Sequence, residues 1–230
     1  MPGQNTLVVN PNLNPNPPLT SSMHGNLSLA LEENVQHAHN CQWLGIRSAL
    51  AKWQALTKET MILQAIAKGV REPLHSFPKP NTEKLRACKP HPDITKTIGE
   101  YLQSQAIRLL NPQEIQSTNY WVPVFGREKK DSEKVRLITD LRDLNNCHEI
   151  QQHKPQTWKQ VVDLTQDNSL TWGVTLDLKA YYHHLQLHSS TSRWIRFKYQ
   201  DQAYQAIGMP FGWSMAPFWS HRLAKPIRKR

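Results

Sequence analysis

The sequence predicts an α+β fold, and two observations carry that prediction. Apolar residues recur at helical spacing in the first half, as Trp43, Ile46, Leu50 and Trp53 do. After Asn111-Pro112 they alternate at strand spacing, and the strands and helices then mix without a βαβ rhythm.

In order along the chain, residues 1–30 hold no Asp, Glu, Lys or Arg and are crowded with Asn, Pro and Ser. The run Asn10 to Pro18 cannot hold a helix, so residues 1–35 are expected to be a disordered tail. With no basic n-region and no apolar h-region, this tail is not a signal peptide. No apolar run is long enough to span a membrane. Residues 36–110 are expected to be mainly helical. A first helix is expected over Gln36–Leu56. Thr57 is expected to cap a second, with Glu59 in its first turn, Gly69 after its last, and Met61, Ile62, Leu63 and Ile66 buried. The Pro-rich stretch from Glu72 to Pro92 reads as loop. Asp93 is expected to cap a third helix with Ile94, Ile98, Tyr101 and Leu102 on one face.

Residues 111–170 are expected to carry a β-hairpin. Its strands are Tyr120–Phe125 and Val135–Asp140, joined by a charged turn, Lys129–Lys134. Thr157 to Gln160 has a capping-box pattern for a short helix. In residues 171–230, Trp172–Leu178 is expected to be a strand. A second hairpin is expected to turn near Gln200-Asp201 before Ala203–Ile207, with one apolar face and one basic face holding Arg196 and Lys198. Pro217 suits the first turn of a final helix.

The formal net charge is +10, and from Gly173 to Arg230 the only acids are Asp177 and Asp201. Such a surface points to a polyanionic partner, most simply nucleic acid. Cys41, Cys88 and Cys147 are widely spaced and form no C-x-x-C pair, so neither a zinc framework nor a disulfide scaffold is indicated. An intracellular, reducing compartment fits, cytoplasmic or nuclear. His37, His39 and Cys41 would point apart on a helix and are not expected to bind metal.

Two blocks carry the chemistry. Thr175-Leu176-Asp177-Leu178-Lys179-Ala180-Tyr181-Tyr182 places a carboxylate at the end of an apolar strand. Gly208-Met209-Pro210-Phe211-Gly212-Trp213-Ser214-Met215-Ala216-Pro217 is a Gly/Pro-punctuated loop that runs into a helix. In this order and spacing they resemble palm motifs A and B of reverse transcriptases. Upstream, Lys129-Lys130-Asp131-Ser132 and Arg136 to Asn145 resemble the fingers hairpin of the same family. The resemblance spans about Ile94 to Lys229 and implies a right-hand polymerase, with fingers in 111–170 and part of the palm in 171–230.

The resemblance implies an activity, template-directed DNA synthesis by two-metal nucleotidyl transfer, and a set of residue roles. By that resemblance Asp177 is the catalytic and metal-binding carboxylate, and the backbone carbonyl of Leu178 assists; the metal is Mg²⁺ or Mn²⁺. Lys129 and Arg136 grip the triphosphate, with Lys130 an alternative to Lys129. Ala180, Tyr182, Phe211 and Gly212 contact the nucleotide, with Tyr182 as a steric gate against a ribose 2′-hydroxyl. Many retroelements carry a second Asp where Ala180 stands; hepadnaviral-type polymerases carry Ala there too. Asp140 and Arg142 are structural or template-contacting, and Pro210 and Trp213 lie toward the template. The implied partners are an RNA or DNA template-primer and a deoxynucleoside triphosphate. Trp53 to Gly69 and the Leu223-Ala224-Lys225-Pro226 ending resemble DIRS-like, tyrosine-recombinase retrotransposons.

The family's aromatic-x-Asp-Asp motif occurs nowhere in the sequence, and the resemblance implies further palm, thumb and RNase H parts beyond Arg230. The expectation is a fingers-and-palm fragment that is inactive alone. The alternative is a non-enzymatic, nucleic-acid-binding remnant that acts through Arg196, Lys198 and the basic tail.

Overall fold

Among the described residues three helices come first, and from residue 107 on strands and helices mix, as the change of period leads one to expect. The computed structural model describes residues 49–228 except 83–84, 131, 150, 153, 155–156, 158, 160–161, 164–165, 167–177 and 179, all within the unit Asn40–Arg230. The expected tail, the first part of the first helix with His37, His39 and Cys41, and the strand ending at Asp177 therefore lie outside the described residues. So does most of the helix expected after Thr157.

Helix α1 (Leu50–Leu56) buries Trp53. Helix α2 (Thr60–Lys68) buries Ile62, Ala65 and Ile66, an i, i+3, i+4 stripe. Met61, expected inside, is exposed, because one residue off the stripe is about 100° away around the axis. Thr57 is not the cap of α2. It ends α1 in extended backbone, its Oγ1 accepts from the Glu59 N–H at 3.1 Å, and Glu59 takes the cap position. Gly69 closes α2 as expected, at φ +89°.

Helix α3 (Pro92–Gln103) buries Ile94 and Ile98. Its cap is His91, whose Nδ1 accepts from the Asp93 N–H at 3.2 Å, and not Asp93. Pro92 fills the first position, where no N–H is needed. The Asp93 carboxylate is thereby free to accept from the Val135 N–H at 2.8 Å, which ties this helix start to the hairpin.

Strands β1 (Ile107–Leu109), β4 (Arg196–Tyr199) and β5 (Gln202–Ala206) make an antiparallel sheet in the order β1-β5-β4. Strands β2 (Val124–Glu128) and β3 (Val135–Thr139) pair as a separate hairpin. Strand β2 starts later than expected. Tyr120, Trp121 and Val122 are buried, but Pro123 has no N–H for a ladder, and their bonds go elsewhere. The Val122 N–H donates to the Arg196 carbonyl and the Trp121 N–H to Asn81 Oδ1.

Strand β1 and helix α4 (Pro112–Gln116) carry no long periodic signal in the sequence; α4 starts with a capping box between Asn111 and Glu114. Helix α5 (Arg142–Asn145) follows the hairpin. A 3-10 turn (Tyr181–His184) and helix α6 (Ser189–Ser192) precede β4. Helix α7 (Ala216–Arg228) carries Pro217 in its first turn, as expected. Its Trp219 Nε1–H donates to Glu72 Oε1 at 2.5 Å, and Arg222 pairs with Glu59, so the last helix is fastened to the segments at either end of α2.

Candidate nucleotide cleft

The charged hairpin and the Gly/Pro-punctuated loop picked out in the sequence line one cleft. It has a volume of about 580 Å³ and lies between the β2–β3 hairpin, helix α3, the β1-β5-β4 sheet and the loop before α7. Lys129 and Arg136 line it from the hairpin, and Pro210, Phe211 and Gly212 line it from the loop. Register explains the hairpin side. Arg136 pairs with Arg127 near the turn end of the ladder, and the Lys129 N–H closes the turn on the Lys134 carbonyl. Among the described residues no carboxylate pairs with Lys129 or Arg136, so both cations are available to a phosphate.

Three aromatic groups meet at the loop side. The Tyr182 and Phe211 rings are 5.1 Å apart, and the Phe211 and His183 rings 5.3 Å in an edge contact. Tyr101 of α3 also meets His183, edge-on at 4.7 Å. Phe211 is half exposed and offers its ring to the cleft. Ala180 has φ +51° and ψ +40°, a left-handed conformation that turns the chain into the Tyr181–His184 segment and carries Tyr182 toward Phe211. Burial holds the His183 imidazole neutral, its pKa pushed down to about 4.

The loop is pinned from behind. Asn145 donates from Nδ2 to the Gly212 carbonyl at 2.9 Å and accepts at Oδ1 from the Ser214 N–H at 2.9 Å. One side chain thus clamps both ends of a turn in which Gly212 has φ +87°. The sequence assigns no role to Asn145 or His183. Both stand inside the motifs, but a polar residue beside a motif does not announce its distant partner.

None of the other expected site residues that are described lines the cleft. Asp177 lies outside the described residues; Leu178 is exposed. Asp140 and Arg142 bond each other, at 2.6 and 2.8 Å, and the guanidinium holds the Asp140 carboxyl below the usual range. Trp213 does not reach the cleft: it is 1% exposed, and its Nε1–H donates to His148 Nε2 at 3.1 Å. The expected basic face is largely engaged. The Lys198 ammonium sits 4.5 Å from the centre of the Trp121 ring. Arg196 bonds Gln205 Oε1 at 2.8 Å and Thr118 Oγ1 at 2.6 Å. Among the described residues no three His, Cys, Asp or Glu side chains stand together to hold a metal ion, and no helix is long and apolar enough to cross a membrane.

This mixed helix-and-strand arrangement is similar to the fingers and palm region of a right-hand polymerase. The aligned part covers 70% of this chain and 21% of the prototype foamy virus protease-reverse transcriptase (a selenomethionine-labelled mutant), at 16% identity and TM-score 0.50. The native form of that protein aligns at 15% identity and TM-score 0.49, and a foamy viral protease-reverse transcriptase in complex with double-stranded DNA at 14% and 0.49. The chain thus spans about a fifth of the length of the first of these proteins. Residues 128–230 match the family model described as reverse transcriptase (RNA-dependent DNA polymerase), 103 of the 230 residues. No curated protein sequence matches this one.

Proposed function

We propose that the cleft is the deoxynucleoside triphosphate site of an RNA-directed DNA polymerase, of the DIRS-like retrotransposon type. The observation that carries this reading is the convergence of Lys129 and Arg136 with Pro210, Phe211 and Gly212 on one cavity. These segments lie some 70 residues or more apart in the sequence. A fork of cations on one side suits a triphosphate, and a half-exposed ring on the other suits a base or sugar. Tyr182, against Phe211, is assigned as the gate against a 2′-hydroxyl, and Ala180 as its neighbour on the nucleotide. The template strand is assigned to the Pro210 side, with the Asp140–Arg142 pair bracing the hairpin base.

In this reading residues 111–170 are the fingers and 171–230 part of the palm, behind an N-terminal tail and a helical region, and the protein works inside the cell on a template-primer. Mg²⁺ or Mn²⁺ is assigned to Asp177 with the Leu178 carbonyl, where it would stabilise the attacking and leaving oxygens. The described residues alone offer no such metal set, so no step here runs through it. The 230-residue polypeptide contains no aromatic-x-Asp-Asp and is proposed to need further palm carboxylates for synthesis. For the non-enzymatic reading through Arg196, Lys198 and the basic tail, Arg196 is already bonded to Thr118 and Gln205, while Lys198 rests over the Trp121 ring.

Titration with a fluorescent deoxynucleoside triphosphate tests the reading. Saturable binding is expected, weakened about tenfold or more by Arg136→Ala, as for loss of a charge-assisted contact. Tyr182→Ala is expected to raise affinity for the ribonucleotide relative to the deoxynucleotide. Unchanged binding in Arg136→Ala would refute the site.

A further inference from the structure

A second groove, of about 410 Å³, is lined by Ser117, Thr118, Asn119, Arg193, Trp194 and Arg196 together with the buried Tyr120. It lies on the other side of the β1-β5-β4 sheet from the nucleotide cleft, and the register shows why. Arg108, Gln205 and Arg196 are directly opposite one another across the three strands and so share one sheet face. Their neighbours Ile107, Ala206 and Phe197 point to the opposite face, and those residues line the cleft. No lining residue is common to the two cavities.

The groove is both charged and built. Gln205 Oε1 accepts from Arg196 Nε at 2.8 Å and Arg108 Nη2 at 3.2 Å, and Gln205 Nε2 donates to Ser192 Oγ at 2.6 Å. Glu114 takes a bidentate bond from Arg108 and lies 3.7 Å from Arg196. The like charge of Arg193 is felt at Arg196 as well. Three guanidinium groups thus face one carboxylate among the described residues, and Arg193 is the one with no carboxylate partner among them. Beside it is an aromatic platform. Phe77 stacks on Trp194 with ring centres 5.4 Å apart and an interplanar angle of 30°, and the Arg193 guanidinium stands 5.3 Å from the Trp194 ring. Phe77 is 68% exposed, the most exposed large apolar side chain among the described residues.

We propose that this groove binds single-stranded nucleic acid, with a phosphate held by Arg193 and Asn119 and an unpaired base stacked on Phe77. An exposed cation with no carboxylate partner among the described residues, beside a stacked, solvent-facing ring, matches the alternation of phosphate and base along a single strand. A duplex hides its base faces and offers the ring nothing to stack on. The proposal does not depend on the cleft being a triphosphate site.

The experiment is photo-crosslinking of a 5-iodouracil-substituted oligodeoxythymidylate to the 230-residue protein, with peptide mapping, alongside fluorescence anisotropy of the same strand. Both test substitutions are at exposed positions. A crosslink within the peptides holding Phe77 or Trp194 is expected, and Phe77→Ala and Arg193→Ala are each expected to weaken binding about tenfold. Arg136→Ala, in the cleft, is expected to leave this crosslink in place. Crosslinks confined to the cleft peptides, or unchanged affinity in both groove variants, would overturn the proposal. So would full competition by equimolar thymidine monophosphate or inorganic phosphate, since the groove would then hold a small anion and not a strand.

Discussion

His183 is the residue whose environment departs furthest from its ordinary chemistry among the cleft's described groups. It is packed between Tyr101 and Phe211 and buried, with its folded pKa near 4 against an ordinary 6.5. The unfolded chain therefore binds the proton first. Above pH 6.5 the residue contributes no pH dependence; between pH 6.5 and 4 the folded state loses stability, by roughly 3 kcal/mol at most. Urea titrations across that range are expected to show the loss, and His183→Phe, which keeps a ring in the contact, is expected to flatten it. Asn145→Ala removes both bonds to the Gly212 turn and is expected to cost about 1–2 kcal/mol in the same assay, with weaker triphosphate binding. An Asn145→Ala protein as stable as the parent would show that the turn holds itself. At this scale the sequence is half legible. Lys129, Arg136 and Phe211 stand out through the motifs that hold them, and all three line one cavity. Asn145 and His183 do not, because the partner that gives Asn145 its role lies 67 residues away.

Elements are legible where periodicity runs long enough. Helix α3 and the strand Val135–Thr139 follow their apolar spacing, and the charged turn between β2 and β3 marks itself. Strand β1 has three residues, too few to show alternation, and is created by its pairing with β5. Tyr120–Val122 misleads because a buried extended segment reads alike with or without a ladder, and Pro123 is the clue against one. The strongest single constraint on how elements meet is Gly69. A Cβ there would lie 2.7 Å from the His188 backbone nitrogen, at a φ that side-chain-bearing residues avoid. The backbone cannot withdraw, because the flanking Val70 N–H donates to the Gln186 carbonyl and the His188 N–H to the Val70 carbonyl. Gly69→Ala is expected to destabilise by about 3 kcal/mol or more, read as a lowered thermal midpoint. A shift within error would mean that this junction relaxes freely.

For the whole molecule the charge balance sets the behaviour toward polyanions. Binding of oligonucleotides is expected to weaken steeply as salt rises, because it releases counterions, and a flat salt dependence would argue against a phosphate-led interface. The purified 230-residue polypeptide is expected to extend no primer; extension above background that disappears in Asp177→Ala would show that synthesis needs no aromatic-x-Asp-Asp pair. The overall class is legible because it rests on patterns summed over many residues, whereas the joining of remote segments into one cavity is not. The two walls of that cavity also differ in construction. One wall is a three-stranded sheet with core on its inner face; the other is a two-stranded hairpin whose strand β2 is buried at Val124 alone. Amide hydrogens of the hairpin should therefore exchange with solvent deuterium well before those of β5, since a short ladder with little apolar cover opens at low free energy. A ligand bridging the walls would slow exchange first in the hairpin, which makes that strand pair the natural reporter of occupancy.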